Sequence, residues 1–172
     1  MLAIVNTSQS WAIGKEGNLL FPFPEDMKFF RETTQGKVVV MGRKTLESFP
    51  GGKPLKNRTN IVLTRQACFT SEGVLVCRSL KELTELLASF LPQDIFVIGG
   101  EEIYRLLLPY CEKALVTRVS ADATADSFFP NLDEHPDWGI AHRSAPSMHN
   151  DISFTFCTYQ NSKTKSLPKQ GE

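Results

Sequence analysis

A chain of 172 residues is the size of one domain, large enough to bury about 70% of its unfolded surface around a single core. Its 19 Lys and Arg balance 19 Asp and Glu, so the formal net charge is zero and no global field draws it to nucleic acid or an anionic membrane. The stretch Met1–Val5 runs straight into polar residues, which offers neither a signal peptide nor a membrane span.

In chain order, Leu2–Asn6 reads as an apolar strand, followed by the glycine-bearing run Ile13-Gly14-Lys15-Glu16-Gly17-Asn18-Leu19. Pro24–Thr34 reads as a helix, because proline fits its first position, where a missing N–H costs nothing. Asp26 then falls in the first turn with Phe30 one turn on, and Asp26, Met27 and Phe30 are expected to line one pocket. An aspartate there also simply complements the helix dipole, and only neighbouring motifs can decide between the two readings.

Val38–Met41 is a strand without a polar residue and Arg43–Phe49 a helix; Asn60–Leu63 and Val74–Cys77 are further strands. Helix Leu80–Leu91, strand Ile95–Ile98, helix Glu101–Leu108 (stopped by Pro109) and strand Leu115–Val119 complete the alternation. Trp138–Ala145 and Ser153–Tyr159 flank the turn-like Pro146–Asp151 as a terminal antiparallel hairpin, and the domain of 1–160 ends in a polar, frayed tail of 161–172. Strands apolar on both faces imply a central, mostly parallel sheet flanked by about four helices, an α/β fold.

Cysteines 68, 77, 111 and 157 lack Cys-x-x-Cys spacing and read as reduced thiols of a cytoplasmic protein. His135, His142 and His149 stand seven apart without partners at zinc-type spacing, so no metal site is expected.

Met41-Gly42-Arg43-Lys44-Thr45 joins a buried strand to a helix, so backbone N–H groups face the strand's end as an anion site. The order Gly-Arg-Lys-Thr is not that of a P-loop. A glycine turn with surface basic residues is the bland alternative, and it loses weight because a second such junction follows at Ile98-Gly99-Gly100-Glu101. Two junctions can grip the two ends of a dinucleotide, although the third glycine of the Rossmann fingerprint is missing. Glu101 and Glu102 oppose a nearby pyrophosphate, so their side chains are expected to point away.

Taken together, Ile4-Val5-Asn6, Ile13–Leu19, Phe21-x-x-Pro24-Glu25-Asp26-x-x-x-Phe30, Val38–Ser48, Arg58–Arg65, Phe96–Tyr104, Leu115–Arg118 and Asp126–Pro130 resemble dihydrofolate reductase in order and spacing over roughly residues 1 to 160. The resemblance implies NADPH as cofactor, dihydrofolate as small-molecule substrate, and a cytoplasmic monomer binding neither nucleic acid nor membrane. It implies hydride transfer to C6 of 7,8-dihydrofolate with a proton to N5, giving the tetrahydrofolate of one-carbon metabolism. Asp26 would be the catalytic carboxylate, held by Thr117, bonded to the pterin and acting by orientation and charge while water supplies the proton. Ile4, Val5, Met27, Phe30, Phe49, Leu55, Ile98 and Tyr104 would line the substrate site, and Arg58 would take the α-carboxylate of the glutamate tail. Each apolar position taken alone is more often plain core, and a surface arginine is the bland alternative for Arg58.

On the cofactor side the resemblance implies Asn6, Ile13, Gly17, Asn18, Gly42, Arg43, Lys44, Thr45, Leu63, Thr64, Arg65, Arg78, Gly99, Gly100, Glu101, Glu102 and Ile103. Arg43, Arg65 and Arg78 would surround the 2′-phosphate and favour NADPH over NADH. Three positions depart from the family pattern. Leu20-Phe21 replaces the usual Pro-Trp, which loses an indole N–H near Asp26, and Asn6 replaces an alanine, its amide either tuning cofactor affinity or needing a partner. The same-fold rival is the NADPH-dependent reductase of riboflavin synthesis, which gives no reason for Pro-Glu-Asp-x-x-x-Phe; a folate- or nucleotide-binding module with little turnover is the rival from another class.

Overall fold

The computed structural model describes residues 1–169. In chain order the elements are β1 (Leu2–Thr7), β2 (Ala12–Lys15), β3 (Asn18–Leu19), α1 (Pro24–Thr34), β4 (Val38–Gly42), α2 (Arg43–Ser48), β5 (Thr59–Leu63), β6 (Val74–Cys77) and α3 (Leu80–Leu87). There follow β7 (Ile95–Gly99), α4 (Glu101–Leu107), β8 (Lys113–Val119), β9 (Ser127–Phe128), β10 (Trp138–Arg143), β11 (Ser147–His149) and β12 (Ile152–Asn161). The main sheet runs β10-β12-β8-β1-β7-β4-β5-β6, with β11 also paired to β12. From β8 to β6 every pairing is parallel, and β12 joins β8 antiparallel. This is the expected α/β fold with a mostly parallel sheet.

Alternation along each strand divides the core into two layers. On one face Ile4, Val39, Met41, Val62 and Phe96 pack with Leu46 of α2 and Phe29 and Phe30 of α1. On the other, Val5, Val38, Val40, Ile61 and Val97 meet Leu83 and Leu87 of α3 and Tyr104 and Leu107 of α4. A third cluster, Phe21, Phe23, Val119 and Phe154, lies under the chain that enters α1. Because β1, β4, β5, β6, β7 and β8 are parallel, their C-terminal ends share one edge, where α/β sheets bind ligands.

Three local features differ from the sequence reading. The helix expected to reach Leu91 stops at Leu87, since Pro92 holds Leu91 extended (φ −71°, ψ 133°) and the chain must leave the helix before it. Within the turn-like 146–151 segment, Ser147–His149 instead pairs with β12, so the tight turn is confined to Asn150 and Asp151. The glycine-bearing run after β1 forms a hairpin: Glu16 and Gly17 both have positive φ (50° and 78°), the geometry of a two-residue turn, and β2 pairs with β3 and β9 in a second small sheet.

Beyond β12, Lys165 donates its N–H to the Pro109 carbonyl (2.9 Å) and Leu167 packs on the larger core cluster. The end of the tail expected to be frayed, residues 170–172, lies outside the described residues. Among the described residues no helix is long and apolar enough to cross a membrane.

Candidate active site

Asp26 is the third residue of α1, and the register of two strands beneath the helix decides what it meets. Asn6 on β1 is the parallel partner of Thr117 on β8, so both side chains rise side by side. Thr117 Oγ1 donates to Asp26 Oδ1 (2.5 Å), and Asn6 Nδ2 donates to Asp26 Oδ2 (2.9 Å). Each carboxylate oxygen therefore has one donor and retains a second lone pair for a ligand. Burial pushes the Asp26 carboxyl above the ordinary carboxylate range, and the bonds from Thr117 and Asn6 draw it part of the way back.

The expected apolar walls fall into distinct places. Ile4, Phe30, Phe49, Leu55 and Ile98 belong to one cluster on the face of the sheet that carries α1. Met27 is half exposed (51%), as a wall facing an open cleft would be. Val5 and Tyr104 belong to the opposite layer. Tyr104 is buried with its hydroxyl donating to the Ile4 carbonyl (2.7 Å), and so anchors the backbone of β1 beneath the site. Tyr104→Phe should cost about 1 kcal/mol for the lost hydrogen bond, read as a lower urea midpoint at unchanged m-value.

Arg58 sits on the loop before β5. Its Nε donates to Thr34 Oγ1 (3.2 Å), Nη1 to the Lys56 carbonyl (2.8 Å) and Nη2 to the Arg31 carbonyl (3.3 Å). Guanidinium has five N–H groups, so two remain for a carboxylate. The loop is itself fixed by buried Asn60, whose amide oxygen accepts the Leu55 N–H (3.0 Å) and whose Nδ2 donates to the Leu55 and Arg58 carbonyls. Asn60 places both Leu55 and Arg58, a duty that no local sequence signal reveals.

The two strand–glycine–helix junctions face each other across β4 and β7. A Cβ on Gly42 would lie 3.1 Å from Ile103 Cγ1, and one on Gly100 would lie 3.5 Å from Thr45 Oγ1. Gly99 has φ +124°, a Cβ there would come within 3.3 Å of the Tyr104 ring, and the Gly99–Gly100 peptide is cis. Side chains at these positions would fill the approach to the backbone. Glu101 accepts the Phe128 N–H (3.0 Å) and lies 3.4 Å from Arg105. Glu102 is exposed and reaches Arg65, with 3.9 Å between Oε2 and Nη2.

Register aligns the ends of β4, β5 and β6, with Gly42 opposite Leu63 and Leu63 opposite Cys77, so Arg43, Thr64-Arg65 and Arg78 follow three neighbouring strand ends. Leu63 itself is core. Arg43 holds Glu47 through both carboxylate oxygens (2.7 and 2.8 Å), Lys44 is exposed, and Arg65 is almost wholly exposed. Arg78 donates from Nη2 to the Phe69 carbonyl (2.8 Å), while its buried Nη1 has no partner among the described residues. Three arginines that follow neighbouring strand ends, with the glycine junctions of β4 and β7 on the same edge of the sheet, supply the cations an anionic dinucleotide needs. Ile13, Gly17 and Asn18 sit on the β2–β3 hairpin, whose turn is tied by Glu16 N–H to Asp126 Oδ2 (2.8 Å).

Two residues carry more than the sequence disclosed. Asn6, assigned above to the cofactor side, directs its amide N–H groups at Asp26 and at the Phe21 carbonyl (3.2 Å). Phe21 buries its ring with Phe23, at 5.7 Å between centroids, rather than leaving a gap where an indole would be. At the start of α1, His149 stacks on Phe23 (4.5 Å) and lies 3.1 Å from Glu25 Oε2, a contact spanning most of the chain.

Fold and site together define an α/β domain of the dinucleotide-binding class, with one partly buried carboxylate held where α1 crosses β1 and β8. The dihydrofolate reductase family model matches residues 1–161. The chain is 40% identical over 129 residues to the dihydrofolate reductase of Haemophilus influenzae, covering 75% of this chain and 78% of that one. It superposes with TM-score 0.79 and 34% identity on Enterococcus faecalis dihydrofolate reductase complexed with NADP(H) and RAB-propyl, covering 93% of this chain and 95% of that one. The bifunctional dihydrofolate reductase-thymidylate synthase of Glycine max is 37% identical over 188 residues, which is 98% of this chain but 35% of that protein. The chain thus spans about a third of the length of such plant relatives. It belongs to the dihydrofolate reductase family.

Proposed function

We propose that the protein reduces 7,8-dihydrofolate to 5,6,7,8-tetrahydrofolate with NADPH and so serves one-carbon metabolism, as a monomeric cytoplasmic enzyme. The observation that carries this reading is the Asp26 carboxylate, held from below by Thr117 and Asn6 with a lone pair open on each oxygen. Those two lone pairs match the paired donors of a pterin, its N3–H and 2-amino group, and fix the ring by a two-point contact. Every residue invoked comes from one chain.

Ile4, Phe30, Phe49, Leu55 and Ile98 exclude water from the ring faces, and Arg58 offers its two open N–H groups to the glutamate tail. Gly42, Thr45, Gly99, Gly100 and Ile103 would hold the dinucleotide against backbone, with Arg43, Thr64, Arg65 and Arg78 around its 2′-phosphate. When bound, NADPH supplies the hydride received at C6. Asp26 works by orientation and by its negative charge, which makes N5 more basic; the N5 proton comes from water.

The test is NADPH oxidation with dihydrofolate set against the ribosylamino-pyrimidine of riboflavin synthesis. Turnover with dihydrofolate is expected; turnover with the pyrimidine alone, or with neither, would replace the reading by one of its two rivals. Arg65→Ala should erode the preference for NADPH over NADH by about tenfold or more, the value of one charge-assisted contact. Equal loss with both cofactors in that variant would show that Arg65 does not read the 2′-phosphate.

A further inference from the structure

The amide of Asn6 on β1 joins two groups of a distant stretch of chain: the Asp26 carboxylate on α1, and the carbonyl of Phe21 in the segment entering α1. Both neighbours are acceptors. The amide nitrogen must therefore face them, since a flipped amide would set its oxygen against a carboxylate and a carbonyl.

The segment has an unusual need for such a tie. Pro22 and Pro24 lack N–H groups, so this stretch has few backbone donors with which to anchor itself. Its internal bond is Phe23 N–H to the same Phe21 carbonyl (2.8 Å), and the Phe21 ring is committed below to Phe23, Val119 and Phe154. From Asn6 the tie continues sideways to β8, because Asn6 and Thr117 are register partners and each donates to a different oxygen of Asp26.

We infer that Asn6 is a positioning residue for the proposed reduction: one amide sets the orientation of the Asp26 carboxylate and the placement of the Phe21 segment together. This rests on the dihydrofolate reductase reading for its catalytic meaning, while the tie itself is independent of any ligand. Phe21 takes part only as an acceptor, through its carbonyl, and the protein donor on Asp26 Oδ2 is the Asn6 amide.

The other ionisable groups around Asp26 are accounted for. Tyr104, in the layer below, has its hydroxyl fixed on the Ile4 carbonyl. On α1 itself, Glu25 turns out to His149 and Lys28 pairs with Glu32 at the surface. From β1 and β8 the groups that face the carboxylate are the neutral Asn6 and Thr117.

The experiment compares Asn6→Ala, isosteric Asn6→Asp and Asn6→Ser, each checked by thermal unfolding. Two quantities are read: the titration of the Asp26 side-chain carboxyl by carbon NMR in the ligand-free protein, and the single-turnover rate of dihydrofolate reduction across pH. In the Ala and Asp variants the Asp26 titration should move to higher pH and reduction at pH 7 should slow by on the order of tenfold. The dissociation constant for NADPH should stay unchanged. Serine, which keeps one donor, should restore part of both effects and serves as the folded variant if alanine unfolds the chain.

An unmoved Asp26 titration in folded variants, or a loss confined to NADPH affinity, would overturn the inference and return Asn6 to the cofactor side. If the wild-type protein reduces no dihydrofolate, the functional reading fails by itself, and the ligand-free titration still decides whether Asn6 holds Asp26.

Discussion

Asp26→Asn should retain the fold and reduce dihydrofolate on the order of 10³-fold more slowly at neutral pH, within the range that positioned acid–base groups contribute. The amide is neutral and has only one oxygen, so it cannot accept the paired pterin donors while also accepting from Thr117 (2.5 Å in the wild type). Part of the activity should return in acid, where dihydrofolate arrives already protonated and no longer needs the negative charge beside it. An unchanged rate at pH 7 would remove Asp26 from the mechanism.

The same variant should be more stable than the wild type near neutrality. Asp26 has a folded-state pKa raised above its unfolded value, chiefly by burial. Its contribution to stability is therefore full below the unfolded value, about 4, and is lost as pH rises through the folded value. Substitution by a neutral amide removes that loss. The melting temperature of Asp26→Asn should exceed that of the wild type at pH 7 to 8, and the gap should close as pH falls toward 4. Activity and stability thus oppose each other at this residue.

Arg58→Ala should weaken dihydrofolate binding by about 2–5 kcal/mol, the cost of truncating one member of a hydrogen-bonded charge pair. Three protein acceptors hold the guanidinium before any ligand arrives, so its open edge is preorganised rather than searched for. A pteroate analogue lacking the glutamate should bind the variant and the wild type alike, and NADPH affinity should be unaffected. Dissociation constants for the two ligands decide it. Equal affinity of variant and wild type for dihydrofolate would leave Arg58 as a brace between the loop and α1.

Much of the fold was legible because its strands are short, apolar and separated by helices with clear starts. Pro24 set the first residue of α1, and Val38-Val39-Val40-Met41 announced a strand buried on both faces. The β2–β3 hairpin was not legible as strands, since Glu16-Gly17 is flanked by residues with little β preference and the hairpin is completed by β9, more than a hundred residues away. Of the site, Asp26, the glycine junctions and the arginine-bearing strand ends could be read from local motifs. What Asn6 meets could not be: its partners depend on the β1–β8 register and on the path of the chain into α1. Asn60 was hidden for the same reason, being a polar residue inside an apolar strand whose bonds go to a loop.

The most direct test of the account follows the hydride itself. NADPH carrying deuterium at both positions of nicotinamide C4 is oxidised by the protein in the presence of dihydrofolate, and the reduced folate is analysed by mass spectrometry and proton NMR. The account predicts one deuterium per product molecule, at C6, from the wild type, and a rate of its appearance that collapses in Asp26→Asn at neutral pH. A product without deuterium, or a label at C7, or wild-type rates in Asp26→Asn would contradict it.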